Sequence, residues 1–235
     1  MNNSLEVCLI GLALSTGVAP SSVAQSAAQA LRKGVSVQMA VTHSAVPMPD
    51  AERENALIVS VTSDGTVYLG IEPLPLAALT DKLKSILANQ RERKIYIKAD
   101  ARAPYANVAD VLNATRAGGV EAPILLTAQR ESAKPETVVP PKGMEVLIGS
   151  PASSDAGPVV VEMLWSGKGE HALKIQNETI PLSALNSRLN QLFENSRSRE
   201  VLLRPKRAVS FAEVAAVTDV CRSAGAKVFL LPGEK

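Results

Sequence analysis

Aromatic side chains are scarce, 3% of the 235 residues, with three Phe, three Tyr and one Trp. Any core must therefore be aliphatic, and no run of rings is on hand to stack nucleic-acid bases. Charge of one sign is lacking as well: 25 Lys and Arg stand against 23 Asp and Glu, leaving a net +2 with the signs interspersed. A nucleic-acid partner calls for positive charge gathered on one face, so nucleic acid is excluded as a partner. Only two cysteines occur, Cys8 and Cys221, too far apart in the chain to suggest a bridge. The near absence of thiols fits an oxidising compartment. The two histidines, His43 and His171, are both expected in loops, and no cluster has metal-ligand spacing. No metal or other cofactor is expected. Ser166-Gly167-Lys168-Gly169 lacks the spacing of a phosphate loop and is expected to be a hairpin turn.

What is present is enough apolar side chain, 46%, for real cores. It also includes a stretch from Val7 to Leu31 without a charge, bounded by Glu6 and by Arg32-Lys33. As a helix this stretch would reach roughly 37 Å, enough to cross a bilayer. Two readings stay open. One is a membrane anchor. The other is a cleaved signal peptide with Ala24-Gln25-Ser26 as a small-residue cleavage site.

Behind this segment the chain repeats itself. A shift of 106 residues, Val67 onto Leu173, aligns Val67–Val120 with Leu173–Ala226 without a gap, and fifteen of the fifty-four pairs are identical. Pro75-Leu76 falls on Pro181-Leu182, Leu79 on Leu185, Leu83 on Leu189, Val108 on Val214, Arg116 on Arg222 and Gly119 on Gly225. In the first copy, Ala56–Thr62 is an apolar β-branched run, and Ser63-Asp64-Gly65-Thr66 turns it into Val67-Tyr68-Leu69. Leu76, Leu79, Leu83, Ile86 and Leu87 recur at helical spacing after Pro75. A strand at Ile95-Tyr96-Ile97, a helix from about Tyr105 to Ala117 ended by Gly118-Gly119, and a strand at Pro123–Thr127 complete the unit. The second copy repeats the order at Val159–Met163, Leu173–Ile175, Leu182–Phe193, Val201–Leu203, Phe211–Arg222 and Val228–Leu231. The expected fold is α/β, two tandem α+β two-layer sandwiches of two helices on a mixed sheet, behind an apolar N-terminal helix. The leaders Gly34–Met39 and Gly143–Ile148 are short alternating segments outside the core pattern, expected as edge strands able to pair within the chain or with a partner. Asp100 is expected to act as a turn or cap, Tyr105 to pack at a helix start, and Cys221 to be a small core thiol.

The run Ile95-Tyr96-Ile97-Lys98-Ala99-Asp100, then Pro104-Tyr105, Val108, Val111, Gly119-Val120 and Leu125-Leu126-Thr127, resembles the periplasmic domain of the ExbD/TolR family. The resemblance is close over Gly34–Thr127 and looser in the second copy. The repeat, with Pro135, Pro140 and Pro141 marking an extended spacer between its copies, divides the chain into an N-terminal segment at 1–32, one domain at 33–128, a linker at 129–141 and a second domain at 142–235. The resemblance implies a non-enzymatic component of a complex driven by the proton-motive force. Such a chain would sit in the inner membrane with its bulk in the periplasm, or be soluble there if the leader is cleaved. The implied partners are an ExbB/TolQ-like proton-channel subunit, a TonB/TolA-like transducer or peptidoglycan, and a second copy in a homodimer. Counting back from Ala19-Pro20, the family's proton-handling aspartate falls on Glu6. A carboxylate in hydrocarbon has a raised pKa and can load and release a proton. Candidate partner-binding residues are Val35, Val37, Met39, Asp100 and Tyr105. The alternative is a fully periplasmic scaffold derived from the family without motor function.

Overall fold

The computed structural model describes residues 35–88, 93–128, 141–151, 157–165, 171–194, 196 and 198–232. Segment 1–32 with Glu6 and Cys8, most of the 129–141 linker, and Ser166–Gly169 lie outside the described residues. Arg32–Lys235 forms one compact unit. Among the described residues, no helix is long and apolar enough to cross a membrane.

The fold is mixed α/β, with four α-helices and two mixed sheets among the described residues. The first sheet holds β1 (Val46–Pro47), β2 (Leu57–Val61), β3 (Val67–Leu69), β4 (Glu72–Pro73), β5 (Ile95–Ala99), β6 (Ile124–Thr127) and β7 (Lys142–Glu145). Its order is β1-β7-β6-β5-β2-β3-β4. The second holds β8 (Leu147–Ile148), β9 (Val159–Trp165), β10 (His171–Ile175), β11 (Glu178–Pro181), β12 (Glu200–Pro205) and β13 (Lys227–Leu230), in the order β11-β10-β9-β12-β13-β8. Each sheet has three parallel strands side by side (β2–β5–β6 and β9–β12–β13, the latter extended by β8) and an antiparallel meander on one flank. The central strands are apolar on the face that joins the helices in one core: Val59, Val61, Ile95, Ile97, Val201 and Leu203 are all fully buried there.

Helices α1 (Leu76–Leu87), α2 (Tyr105–Ala117), α3 (Leu182–Glu194) and α4 (Phe211–Ser223) follow the expected spacing. α1 buries Leu79, Leu83 and Leu87, and α3 buries Leu185, Leu189 and Phe193, a strict i, i+4, i+8 stripe in each. Burying one such side chain is worth about 1.5–3 kcal/mol. Helices α2 and α4 end alike. Gly119 and Gly225 adopt φ of +95° and +77°. The next amide then reaches back to the helix, Val120 N–H to the Thr115 carbonyl and Ala226 N–H to the Cys221 carbonyl. That left-handed turn is costly with a Cβ, which is why glycine stands there. At the start of α4 the Glu213 carboxylate accepts both the N–H and the hydroxyl of Ser210.

Three expectations need correction. Over its described residues, 35–39, the first leader is not a strand. Met39 makes one isolated bridge to Asp100 and Val41 one to Ala128, and the chain first pairs regularly at Val46–Pro47. The second leader is a strand but not outside the core. Met144, Val146 and Ile148 are at most 5% exposed. It crosses between the sheets: β7 adds antiparallel to β6 of the first, and β8 adds parallel to β13 of the second. Gly143 makes this possible, since a Cβ there would lie 2.6 Å from Ile124 Cγ2. His171 opens β10 rather than sitting in a loop. The short third strands β4 and β11 went unread because two to four residues carry no period that could be seen.

The aliphatic core is continuous, running from Val59 and Leu83 through Tyr105, Met144 and Phe211 to Leu230. A smaller cluster lies in the first sheet, where Ala51, Ile58, Tyr96, Ile124 and Leu126 pack with Met39, Met48 and Ala56. The segment after the first leader therefore serves as a cover for Ile58, Tyr96 and Leu126.

Candidate functional site

Of the residues singled out from the sequence, Tyr105 lies at the seam where α2 and α4 begin, while Asp100 stands at the end of β5 beside the leader that carries Val35, Val37 and Met39. The first N–H groups of a helix have no partner within it and must find one elsewhere. Here each helix finds them on the other. Tyr105 N–H donates to the Val209 carbonyl at 2.7 Å, and Phe211 N–H donates to the Ala103 carbonyl at 2.8 Å. Ala106 N–H donates to Arg207 and Ala212 N–H to Ala101, both at 2.9 Å. Pro104 and Ser210 face each other across this antiparallel bridge. Every one of these bonds maps onto its counterpart under the same 106-residue shift.

Tyr105 is fully buried, and its hydroxyl donates to the Leu231 carbonyl at 2.9 Å. Burial pushes its phenol well above the ordinary value. Its counterpart Phe211 is equally buried without a hydroxyl. Asp100, 3% exposed, accepts from Arg102 Nε and Nη2, each at 2.9 Å, from the Arg102 backbone N–H at 3.0 Å, and from Gln38 N–H at 3.2 Å. The Arg102 side chain, foremost, holds its carboxyl well below the usual carboxylate range against the opposing effect of burial. Together with the Ala101 N–H bond to the Gln38 carbonyl at 2.7 Å, this ties the first leader to the end of β5. Val35, Val37 and Met39 in that leader are half-buried.

Two residues that fasten the halves were not singled out from the sequence, one on α4 and one at the seam. Asp219, in the middle of α4, is 5% exposed. Its carboxylate accepts the His43 N–H at 2.7 Å, the Ser44 N–H at 2.9 Å and the Ser44 hydroxyl, so it fastens the chain after the first leader to α4. An aspartate inside Val217-Thr218-Asp219-Val220-Cys221 is out of keeping with an apolar helix, and that mismatch is the signal it offered. Arg207 reaches Asp110 of α2 with Nη2, 3.0 Å and 3.1 Å from its two carboxylate oxygens. Arg222 donates to the Glu145 carbonyl in the crossing strand at 2.7 Å.

Cys221 is fully buried, and burial pushes its thiol up to about 12, where almost no thiolate forms at neutral pH. What the seam can do chemically is join: it pairs backbone, caps helices and anchors loops. Among the described residues, no group of three or more His, Cys, Asp and Glu side chains could hold a metal ion.

No curated protein matches the chain. Residues 18–130, just under half of the chain, match the family model described as Biopolymer transport protein ExbD/TolR, a span that takes in the first leader and β1 to β6 and ends before the crossing strand.

Proposed function

We propose that this chain is a non-enzymatic, ExbD/TolR-type component of a proton-motive-force-driven transport complex. In it, two copies of one unit are fused and docked on each other. The observation that carries the reading is the family match over residues 18–130. The duplication is supported by the 106-residue shift, by the shared strand order of the two sheets, and by the four reciprocal hydrogen bonds at Tyr105 and Phe211. On this reading the domains are 33–128 and 142–235, and segment 1–32 anchors the chain in the inner membrane with its bulk in the periplasm. Glu6 is the proton-handling carboxylate, working beside an ExbB/TolQ-like channel subunit. Asp100 and Tyr105 serve partner binding indirectly, by fixing the first leader and the seam, and Val35, Val37 and Met39 lie on the surface offered to a TonB/TolA-like transducer or to peptidoglycan. The halves already fill on each other the backbone edge at Pro104 and Ser210, so any homodimer must use another face.

The test is fractionation and pull-down of the full chain. It is expected in the membrane pellet after a carbonate wash, with an intact N-terminus and a channel subunit in stoichiometric yield, and Glu6→Gln is expected to abolish energy-dependent transport while leaving the complex assembled. A mature protein starting near Ala27, soluble and without that subunit, overturns the motor reading in favour of a periplasmic scaffold.

A further inference from the structure

A cleft of about 990 Å3 opens at the seam, between α2, the end of the crossing segment and the C-terminal ends of β9 and β12. That volume is at the upper end of what small-molecule sites enclose. Among the described residues four cations line it: Arg116 from α2, and Arg204, Lys206 and Arg207 from the end of β12 and the loop beyond. Among the described residues, Glu162 is the lone lining carboxylate, and it stands 3.8 Å from Arg204, a loose pair. Arg207 is held by Asp110. Arg116 and Lys206 are exposed, and among the described residues no carboxylate lies within ion-pair distance of either. The chain as a whole carries only +2, so this local excess of positive charge is a concentration and not a reflection of composition.

The floor is apolar. Met163 and Pro205 are buried beneath it, and Leu231 and Pro232 form one wall. The register of the sheets adds a contrast. Glu162 and Arg204 are neighbours across β9 and β12 in the way that Ser60 and Lys98 are across β2 and β5. In the first sheet, Ile58 and Tyr96 beside that pair are covered by the chain's own Met48, Ala51 and Ala56. In the second sheet the Glu162–Arg204 pair itself lines the cleft, while Val160 and Leu202, which stand beside it as Ile58 and Tyr96 do in the first, are not among its lining residues.

We propose that this cleft holds a short acidic peptide segment of another protein, its carboxylates on Arg116 and Lys206 and an aliphatic side chain against the apolar lining of Met163, Pro205 and Leu231. Charge complementarity selects the occupant: an inorganic anion would meet the cations but leave the floor wet, and an apolar peptide would leave the cations unanswered. This deepens the transport-complex reading by naming the chemistry of a partner segment, and it rests on that reading only in taking the partner to be a protein.

The experiment is fluorescence anisotropy on the purified full chain. The probe is a labelled synthetic peptide in which glutamates flank a leucine, compared with its glutamine counterpart. The expected result is salt-sensitive binding of the acidic peptide alone, weakened about five- to tenfold in R116Q/K206Q by loss of two rim pairs. Lys84→Gln, on the exposed face of α1, is expected to leave it unchanged. An unchanged melting transition in R116Q/K206Q separates lost binding from lost fold. Equal binding of the glutamine peptide, no effect of R116Q/K206Q, or full competition by millimolar inorganic phosphate overturns the proposal. So does binding of R116/K206-dependent type to vesicles of anionic lipid without peptide binding. Because the assay contains no channel subunit, its failure is distinct from failure of the fractionation test.

Discussion

Removing the carboxylate of Asp219 probes how the chain before β1 is fastened to the second half. In the native protein three donors converge on this carboxylate at 5% exposure: the backbone N–H groups of His43 and Ser44, and the Ser44 hydroxyl. Hydrogen bonds to a charged group are worth about 1.5–3 kcal/mol each, but they are not additive when they share one acceptor. In Asp219→Ala the loop at His43–Ser44 can turn its freed amides to water, which recovers part of the loss. The net cost is about 3 kcal/mol, or roughly 6–12 °C in melting temperature for a unit of this size. Asp219→Asn is the sharper variant, since one oxygen survives while its amide nitrogen must face a backbone donor; it is expected to cost about 2 kcal/mol. The assay is urea denaturation with hydrogen exchange at His43, Ser44 and Ala45. If these amides remain as protected in D219A as in the wild type, or if stability falls by less than about 0.5 kcal/mol, the fastening role is refuted.

Further outcomes follow from the same physical reasoning. Asp100 has a folded pKa depressed mainly by Arg102, so its contribution is present above the unfolded value near 3.8 and drains away as pH falls through that value toward the lower folded one. Asp100→Asn is therefore expected to destabilise at pH 7 and to match the wild type more closely at pH 3, as read by denaturant midpoints; a gap that widens at pH 3 contradicts it. Cys221 is expected to stay unmodified by iodoacetamide at pH 8 in the folded chain and to react once urea unfolds it, followed by mass spectrometry of its peptide. Gly143→Val places side-chain atoms against Ile124 and the Leu125 carbonyl and is expected to cost about 1–3 kcal/mol, with lost amide protection on both β6 and β7. Tyr105→Phe gives up the bond to Leu231 and is expected to cost about 1 kcal/mol, read from the denaturant midpoint.

Much of this fold could be read from spacing. The Leu79-Leu83-Leu87 and Leu185-Leu189-Phe193 stripes gave α1 and α3, and paired glycines gave the ends of α2 and α4. The leaders were misjudged because alternation over five residues says that a segment is extended, not which sheet it joins. β8 does lie at the edge of the second sheet, paired with β13 alone, yet Val146 and Ile148 are buried in the core rather than outside it. The seam was half legible. Tyr105 was expected to pack, and it does. That its backbone would be capped by Val209 could not be seen, because such pairing depends on how the two halves are placed. Asp219 offered only an oddity of composition, and the cleft offered none, since Arg116 and Lys206 lie ninety residues apart in a chain of balanced charge.

The strand that leaves one sheet at Glu145 and enters the other at Leu147 has a consequence for cutting the molecule. Severed between positions 128 and 141, the N-terminal piece would keep its helices but expose a bare rim along Ile124–Thr127, and the C-terminal piece would carry Lys142–Glu145 as a loose lace. Each fragment would thus be missing what the other holds out, and mixing them would restore function by complementation where neither alone stands firm.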